Sequence, residues 1–145
     1  MWTTPLDSCP LRPEVLFGIR ERDVPTLRSL HAGFVWFVVS ANVIAGVWAL
    51  VARRVPRLRT RSLWWFTVFA ELSIFVQVVT GVVLVSAGGL RVEQFHMFYG
   101  FVSLITVAIL YSYRSHLRGR IHLLYGFGGL FLAGLAIRAM LVASR

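Results

Sequence analysis

Five ionisable side chains lie inside or at the start of long apolar stretches of the sequence: His31, Glu71, His96, His122 and Arg138. An ionisable group in the middle of a bilayer costs about 3 kcal/mol on insertion scales, so each is a candidate functional residue. Imidazole nitrogens can ligate haem iron, a carboxyl group can carry a proton, and a guanidinium can hold an anionic group. The type of chemistry depends on which of these side chains meet.

The composition indicates where these side chains must be placed. The chain has 145 residues, of which 57% are hydrophobic and 14% are charged, and its mean hydropathy is +0.72. Soluble domains contain roughly 25% charged residues, so a water-soluble domain is excluded. Intrinsic disorder is excluded by the high hydrophobicity, and a disulfide scaffold is excluded because Cys9 is the single cysteine. One compact membrane domain remains.

Four stretches contain the roughly 20 apolar residues that a membrane-spanning helix needs. They cover residues 31–51, 63–87, 94–113 and 121–142. The short connections make neighbouring helices antiparallel, which predicts an all-α membrane protein built as an up-down bundle of four transmembrane helices. Residues 31–145 then form the transmembrane domain, and residues 1–30 form an N-terminal extramembrane or interfacial segment. Within that segment, residues 15–19 either lie along the interface or form a loop with a short apolar contact.

The positive charge predicts the orientation. The net charge is +9, and all fifteen basic residues are arginine. Five of them fall between residues 53 and 61 and three between residues 114 and 120, whereas the middle loop has only Arg91 beside Glu93. The positive-inside rule places the two arginine-rich loops in the cytoplasm and both termini outside, in a multi-pass protein of the cell's inner (plasma) membrane. Because these loops account for the basic charge, nucleic acid is not expected as a partner.

The strongest pairing is between His31 and His96, which open the first and third spans. Both spans run inward from the outer face, so the two imidazoles are expected at similar depth. In an up-down bundle these helices lie across the diagonal, about 12–14 Å apart, a gap that suits two imidazoles holding one haem iron. Gly100, one turn after His96, leaves room for a flat macrocycle or for a close helix. The alternative is that both histidines are solvated among lipid headgroups.

The remaining candidate site residues can be interpreted in more than one way. Gln77 is expected either at the edge of a cofactor or in a hydrogen bond to a neighbouring helix. Arg138, near the outer end of the fourth span, either extends to the interface or reaches a haem propionate. Glu71 could carry a proton, contact a quinone, pair with another subunit, or stay protonated. His122 lies above a stripe of small residues that is expected to serve helix packing.

The stretch from Glu71 to Val85, with Gln77-x-x-x-Gly81, is followed by His96-Met97-Phe98-Tyr99-Gly100. Together with His31, this pattern resembles one four-helix half of the haem A synthase family, a membrane b-type cytochrome-like bundle, over roughly residues 31–114. The resemblance implies that His31 and His96 are axial haem ligands. The family's paired loop cysteines and the acidic residue before its first ligand histidine have no counterpart here. These departures argue against an enzyme that oxidises a haem methyl group. The resemblance then implies either a single-haem relative or a relative that kept the bundle and lost the cofactor.

These observations predict a small b-type cytochrome-like membrane protein. It would hold one haem b near the outer face and serve electron transfer in a respiratory-type membrane complex, with a quinone as one conceivable redox partner. The alternative is a haem-free accessory or assembly subunit of a larger membrane complex. Whether the chain is itself an enzyme stays open at this stage. The expected partners are the lipid bilayer and other membrane subunits.

Overall fold

Four long helices form the part of the chain that the structure describes. The computed structural model describes residues 21–88 and 92–144, and the long helices within these ranges are α1 Val24–Arg54, α2 Arg61–Gly88, α3 Gln94–Tyr113 and α4 Ile121–Ala143. Short 3-10 turns lie before α1, between α1 and α2, and between α3 and α4. Each long helix has the length and apolar character needed to cross a bilayer. The predicted all-α architecture of four such helices is confirmed.

The predicted start of the first helix is wrong. α1 begins at Val24, seven residues before the predicted start, so His31 lies two turns inside the helix and does not open it. Pro25 in the first turn suits a helix start, because its missing N–H has no partner there in any helix. Arg28 interrupts the apolar run, which is why a count of apolar residues misses these two turns. The predicted interfacial stretch 15–19 lies outside the described residues.

The packing order is that of an up-down bundle. α1 packs most extensively against α4 and next against α2, and α4 also packs along α3. The seam between α2 and α3 is the thinnest of the four. Within the described ranges, α1 has little contact with α3, and α2 has little contact with α4. Each of these pairs therefore lies across a diagonal of the bundle. The predicted diagonal relation of the helices that carry His31 and His96 is therefore present.

The α1–α4 seam is tight because glycines bring the two backbones into contact. A Cβ atom on Gly129 would lie 2.9 Å from the Asn42 carbonyl oxygen and 3.2 Å from the Gly46 Cα. A Cβ atom on Gly46 would lie 2.8 Å from the Gly126 carbonyl oxygen. Small residues permit this close approach between membrane helices. The small-residue stripe on α4 thus packs against α1, as its sequence suggests.

A buried asparagine ties α1 to α2. Asn42 is 1% exposed, and its Nδ2 donates hydrogen bonds to the Ala70 carbonyl of α2 at 3.1 Å and to the Val38 carbonyl of its own helix at 2.9 Å. Such interhelical bonds contribute about 0.6 kcal/mol on average between membrane helices. Asn42 therefore helps to fix how α1 and α2 align.

Residues of the α1–α2 connection cap both helix ends that it joins. The Arg59 side chain donates to the Ala52 carbonyl at 2.9 Å and to the Arg53 carbonyl at 2.7 Å, in the last turn of α1. These carbonyls carry the negative end of the helix dipole, so a guanidinium is favourable there. The Thr60 hydroxyl accepts a hydrogen bond from the Leu63 N–H at the start of α2, at 3.3 Å. The connection is thereby ordered by its own polar residues.

Candidate functional site

Residues from all four helices meet at the end of the bundle opposite the two arginine-rich loops. His31 comes from α1, Gln77 from α2, His96 from α3 and Arg138 from α4. The His31 and His96 rings lie with their centres 6.2 Å apart and their planes at 69°. The sequence prediction that these two imidazoles share one depth is met by this contact.

His31 is held by Gln77. The Gln77 Nε2 donates to the His31 carbonyl oxygen at 3.0 Å and lies 3.3 Å from the His31 Nε2. Two polar atoms of this pair, the His31 Nδ1 and the Gln77 Oε1, are buried without a hydrogen-bond partner in the described part of the chain. A buried polar group without a partner costs about 1–3 kcal/mol. The site therefore contains polar atoms that the surrounding side chains do not satisfy.

Gly81 gives the His31 ring its place against α2. Gly81 follows Gln77 by four residues, so both residues lie on the same face of the helix. A Cβ atom on Gly81 would come within 3.2 Å of the His31 Cε1, closer than an ordinary van der Waals contact. The imidazole thus lies against the helix backbone where a side chain would otherwise stand. This contact gives a physical reason for the four-residue spacing of glutamine and glycine.

His96 is oriented by the backbone of α4. Its Nδ1 lies 3.0 Å from the Ala139 carbonyl oxygen. A carbonyl oxygen only accepts, so Nδ1 carries the proton of this hydrogen bond. In the neutral ring, Nε2 then keeps its lone pair and can act as a ligand. A metal-ligating histidine usually donates its other ring N–H to a carbonyl, a carboxylate or water, and this contact is of that kind.

Arg138 and Gly100 lie at the edges of this cluster. Arg138 is exposed, and its Nε donates to the Tyr99 hydroxyl at 3.4 Å, next to the Ala139 carbonyl that holds His96. Gly100 faces α2, because a Cβ atom there would lie 3.7 Å from the Val78 Cγ2. That is an ordinary contact. Gly100 therefore packs against α2. The hydrogen bonds and ring contacts described for the site involve other residues.

Glu71 and His122 do not join the histidine pair. Glu71 lies close enough to Tyr125 for an electrostatic interaction. Tyr125 precedes Arg138 by 13 residues on α4, about 20 Å along the helix axis, so Glu71 and Arg138 lie at different depths of the bundle. His122 contacts the Trp64 ring at 5.4 Å between centres, near the arginine-rich end. Both are separate from the site at the other end of the bundle.

Two groups that form hydrogen bonds at the site were not predicted from the sequence, the Ala139 carbonyl and the Tyr99 hydroxyl. The Ala139 carbonyl is a backbone atom, and no residue type signals its use. Tyr99 has a weak signal, since it follows His96 by three residues and so lies on a nearby part of the α3 surface. Within residues 21–88 and 92–144, no group of three or more His, Cys, Asp and Glu side chains is placed to hold a metal ion. His31 and His96 are therefore considered as a two-ligand pair.

The likeness to the haem A synthase family rests on Gln77, Gly81 and the two histidines, and stays a hypothesis. Comparison with protein families, with curated proteins and with solved structures gives no match for this chain.

Proposed function

We propose that the chain is a multi-pass protein of the inner (plasma) membrane, with its arginine-rich loops in the cytoplasm and both termini outside. The outward faces of the helices carry large apolar side chains, among them Trp65 at 74%, Trp36 at 65% and Phe127 at 64% exposure. Contiguous apolar surface of this kind is unfavourable in water and favourable in lipid. Eight arginines at one end of the bundle, five in one connection and three in the other, support the orientation.

Two single-cysteine variants test this orientation. In a Cys9→Ser background, Glu93→Cys lies just before α3 and Ser115→Cys lies between α3 and α4, and both positions are exposed. We expect a membrane-impermeant maleimide to label Glu93→Cys on intact spheroplasts, and to label Ser115→Cys only after permeabilisation. The reverse pattern would invert the proposed topology, and labelling of both positions on intact spheroplasts would refute the membrane-spanning arrangement.

We propose that the protein is a small b-type cytochrome-like subunit that holds one haem between His31 and His96 and serves electron transfer in a respiratory-type membrane complex. The convergence of the two rings carries the proposal. Two imidazoles on opposite sides of one metal ion, with bonds of about 2.0–2.1 Å, have ring centres about 6 Å apart. The His31–His96 separation of 6.2 Å agrees with that value.

The polar groups of the site are compatible with a haem. The two histidines offer two nitrogen ligands, and the macrocycle would supply the other four to the iron, which would then provide one-electron redox chemistry. His96 has its Nε2 available because Ala139 holds its Nδ1. Gln77 can keep its bond to the His31 carbonyl while releasing the ring nitrogen. Arg138 provides a positive charge at the rim, suited to a propionate.

A haem-free accessory or assembly subunit is the second candidate function. The hydrogen bond between Gln77 and the His31 carbonyl, and the short distance from Gln77 to the His31 ring, already close this part of the bundle without a cofactor. In that case the exposed apolar faces would contact other membrane subunits, and the histidine pair would serve helix packing.

An absorption spectrum of the purified protein separates the two functions. After expression with added haem precursor, we expect a Soret band, a change in the visible bands on reduction with dithionite, and about one haem per chain. A chain with native helical circular dichroism but no Soret band would contradict the cytochrome proposal and favour the accessory subunit. A quinone analogue added to the reduced protein then tests quinone as an electron acceptor.

A further inference from the structure

An open groove runs between α3 and α4 at the arginine-rich end, far from the histidine pair. Its volume is about 830 Å³. The residues that matter for its chemistry are Thr106, Leu110, Arg120, Leu124, Gly128 and Phe131. All but Thr106 and Arg120 are apolar or lack a side chain, so the groove has an apolar body and a basic residue at one end.

The groove has the length of one bilayer leaflet. On α4 and the residue before it, the lining extends from Arg120 to Phe131, a separation of 11 residues or about 16 Å along the helix. On α3 and the following loop it extends over the same number of residues, from Thr106 to Leu117. Half of a hydrocarbon core of about 30 Å is about 15 Å. A ligand that fills the groove would thus reach from the membrane surface to the midplane.

The interior of the groove offers no free hydrogen-bond donor to a ligand. The Thr106 hydroxyl donates to the Val102 carbonyl of its own helix at 2.8 Å, so its proton is already engaged. Gly128 leaves the floor without a side chain, and a Cβ atom there would overlap the Leu110 methyl groups. These features suit a flexible hydrocarbon chain, which needs shape and apolar contact and no hydrogen bonds.

The mouth of the groove is basic. The loop from Arg114 to Arg120 contains three arginines and no acidic residue. All three arginines are exposed, and Arg114 lies over the Tyr111 ring at 4.6 Å. Guanidinium groups bind phosphate oxygens through charge-assisted hydrogen bonds, and basic pockets between membrane helices recognise anionic lipid headgroups. A basic mouth beside an apolar groove therefore suits a ligand with an anionic headgroup and a hydrocarbon chain.

We propose that the α3–α4 groove binds an anionic phospholipid, with one acyl chain along Thr106, Leu110 and Gly128 and the phosphate against Arg120. The site is independent of the histidine pair, so it holds whether or not the protein binds haem.

Native mass spectrometry of the full-length protein in detergent tests this site. The probes are phosphatidylglycerol and phosphatidylcholine with identical acyl chains. We expect one phosphatidylglycerol to bind at least tenfold more tightly than phosphatidylcholine. Arg120→Gln should weaken phosphatidylglycerol binding about tenfold, and Arg120→Lys should weaken it less. Arg57→Gln removes the same charge from the other arginine-rich loop and should change the affinity less than twofold.

A second variant tests the acyl chain independently of charge. Thr106→Phe fills the groove and is expected to weaken phosphatidylglycerol binding at least fivefold while circular dichroism stays native. Equal effects of Arg120→Gln and Arg57→Gln would overturn the proposal, because they would show general attraction to the basic end. Equal affinity for the two lipids would also overturn it, as would displacement of phosphatidylglycerol by millimolar inorganic phosphate.

Discussion

His96→Ala is expected to lower the haem content of the purified protein at least tenfold. The substitution removes the imidazole that the Ala139 carbonyl orients, and, apart from His31, the remaining histidines His116 and His122 lie at the opposite end of the bundle. A haem held by His31 alone would lose one of its two protein bonds to iron. The measurement is the ratio of Soret absorbance to protein concentration, with haem also counted by extraction.

His122→Ala provides the matched control. His122 is likewise a histidine within a spanning helix and in contact with an aromatic ring, but it lies at the opposite end of the bundle. We expect His122→Ala to keep its haem and His31→Ala to lose it. A full spectrum in His96→Ala would refute the ligand assignment. Equal haem loss in His122→Ala would show that the effect arises from damage to the bundle and not from a lost ligand.

Gly129→Val is expected to destabilise the bundle by about 3 kcal/mol, the upper end of the range for overpacked cores. Its Cβ would lie 2.9 Å from the Asn42 carbonyl oxygen, and the other near atoms belong to the Gly46 backbone. Backbone atoms cannot rotate away as a side chain can, so α1 and α4 must separate. The measurement is the midpoint of thermal unfolding in detergent, followed by circular dichroism.

Gly134→Val is the control for this change. Gly134 lies on the same helix, and nothing stands within 4 Å of a Cβ atom placed there. Both variants introduce the same β-branched residue into α4, so their intrinsic helix propensities cancel. We expect a much smaller shift of the midpoint for Gly134→Val. Equal shifts in the two variants would indicate that the α1–α4 seam is looser than its distances suggest.

The helices were predictable because the length of an apolar run sets where a chain can cross a bilayer. α3 matches its predicted residues, and α2 and α4 differ from theirs by at most two residues at either end. The start of α1 was not predictable in this way. The turns from Val24 to Leu30 include Arg28 and contain too few apolar residues to extend the run, although Pro25 is a helix-start signal that could have located them.

The site was predictable in its residue types and less so in its contacts. Equal depth of His31 and His96 was expected because both were placed at the start of their spans, and the rings do meet although His31 lies two turns inside α1. Gln77 had two predicted roles, and the structure shows the hydrogen bond to a neighbouring helix. The Ala139 carbonyl could not be predicted, because every residue has a carbonyl and only the packing of α3 on α4 selects this one.

The extensive seam between α1 and α4 has a consequence for biogenesis. The first helix meets its main packing partner only after about 90 further residues have been made, which takes about 5–18 seconds at ordinary translation rates. In a chain inserted helix by helix into a bilayer, α1 would have only α2 and then α3 beside it during that interval, and the glycine surface around Gly46 would lack its contacts with α4. With the proposed topology, completion of the bundle would therefore follow insertion of the first three helices, and a nascent chain that stalls before α4 would leave the glycine surface of α1 unpacked.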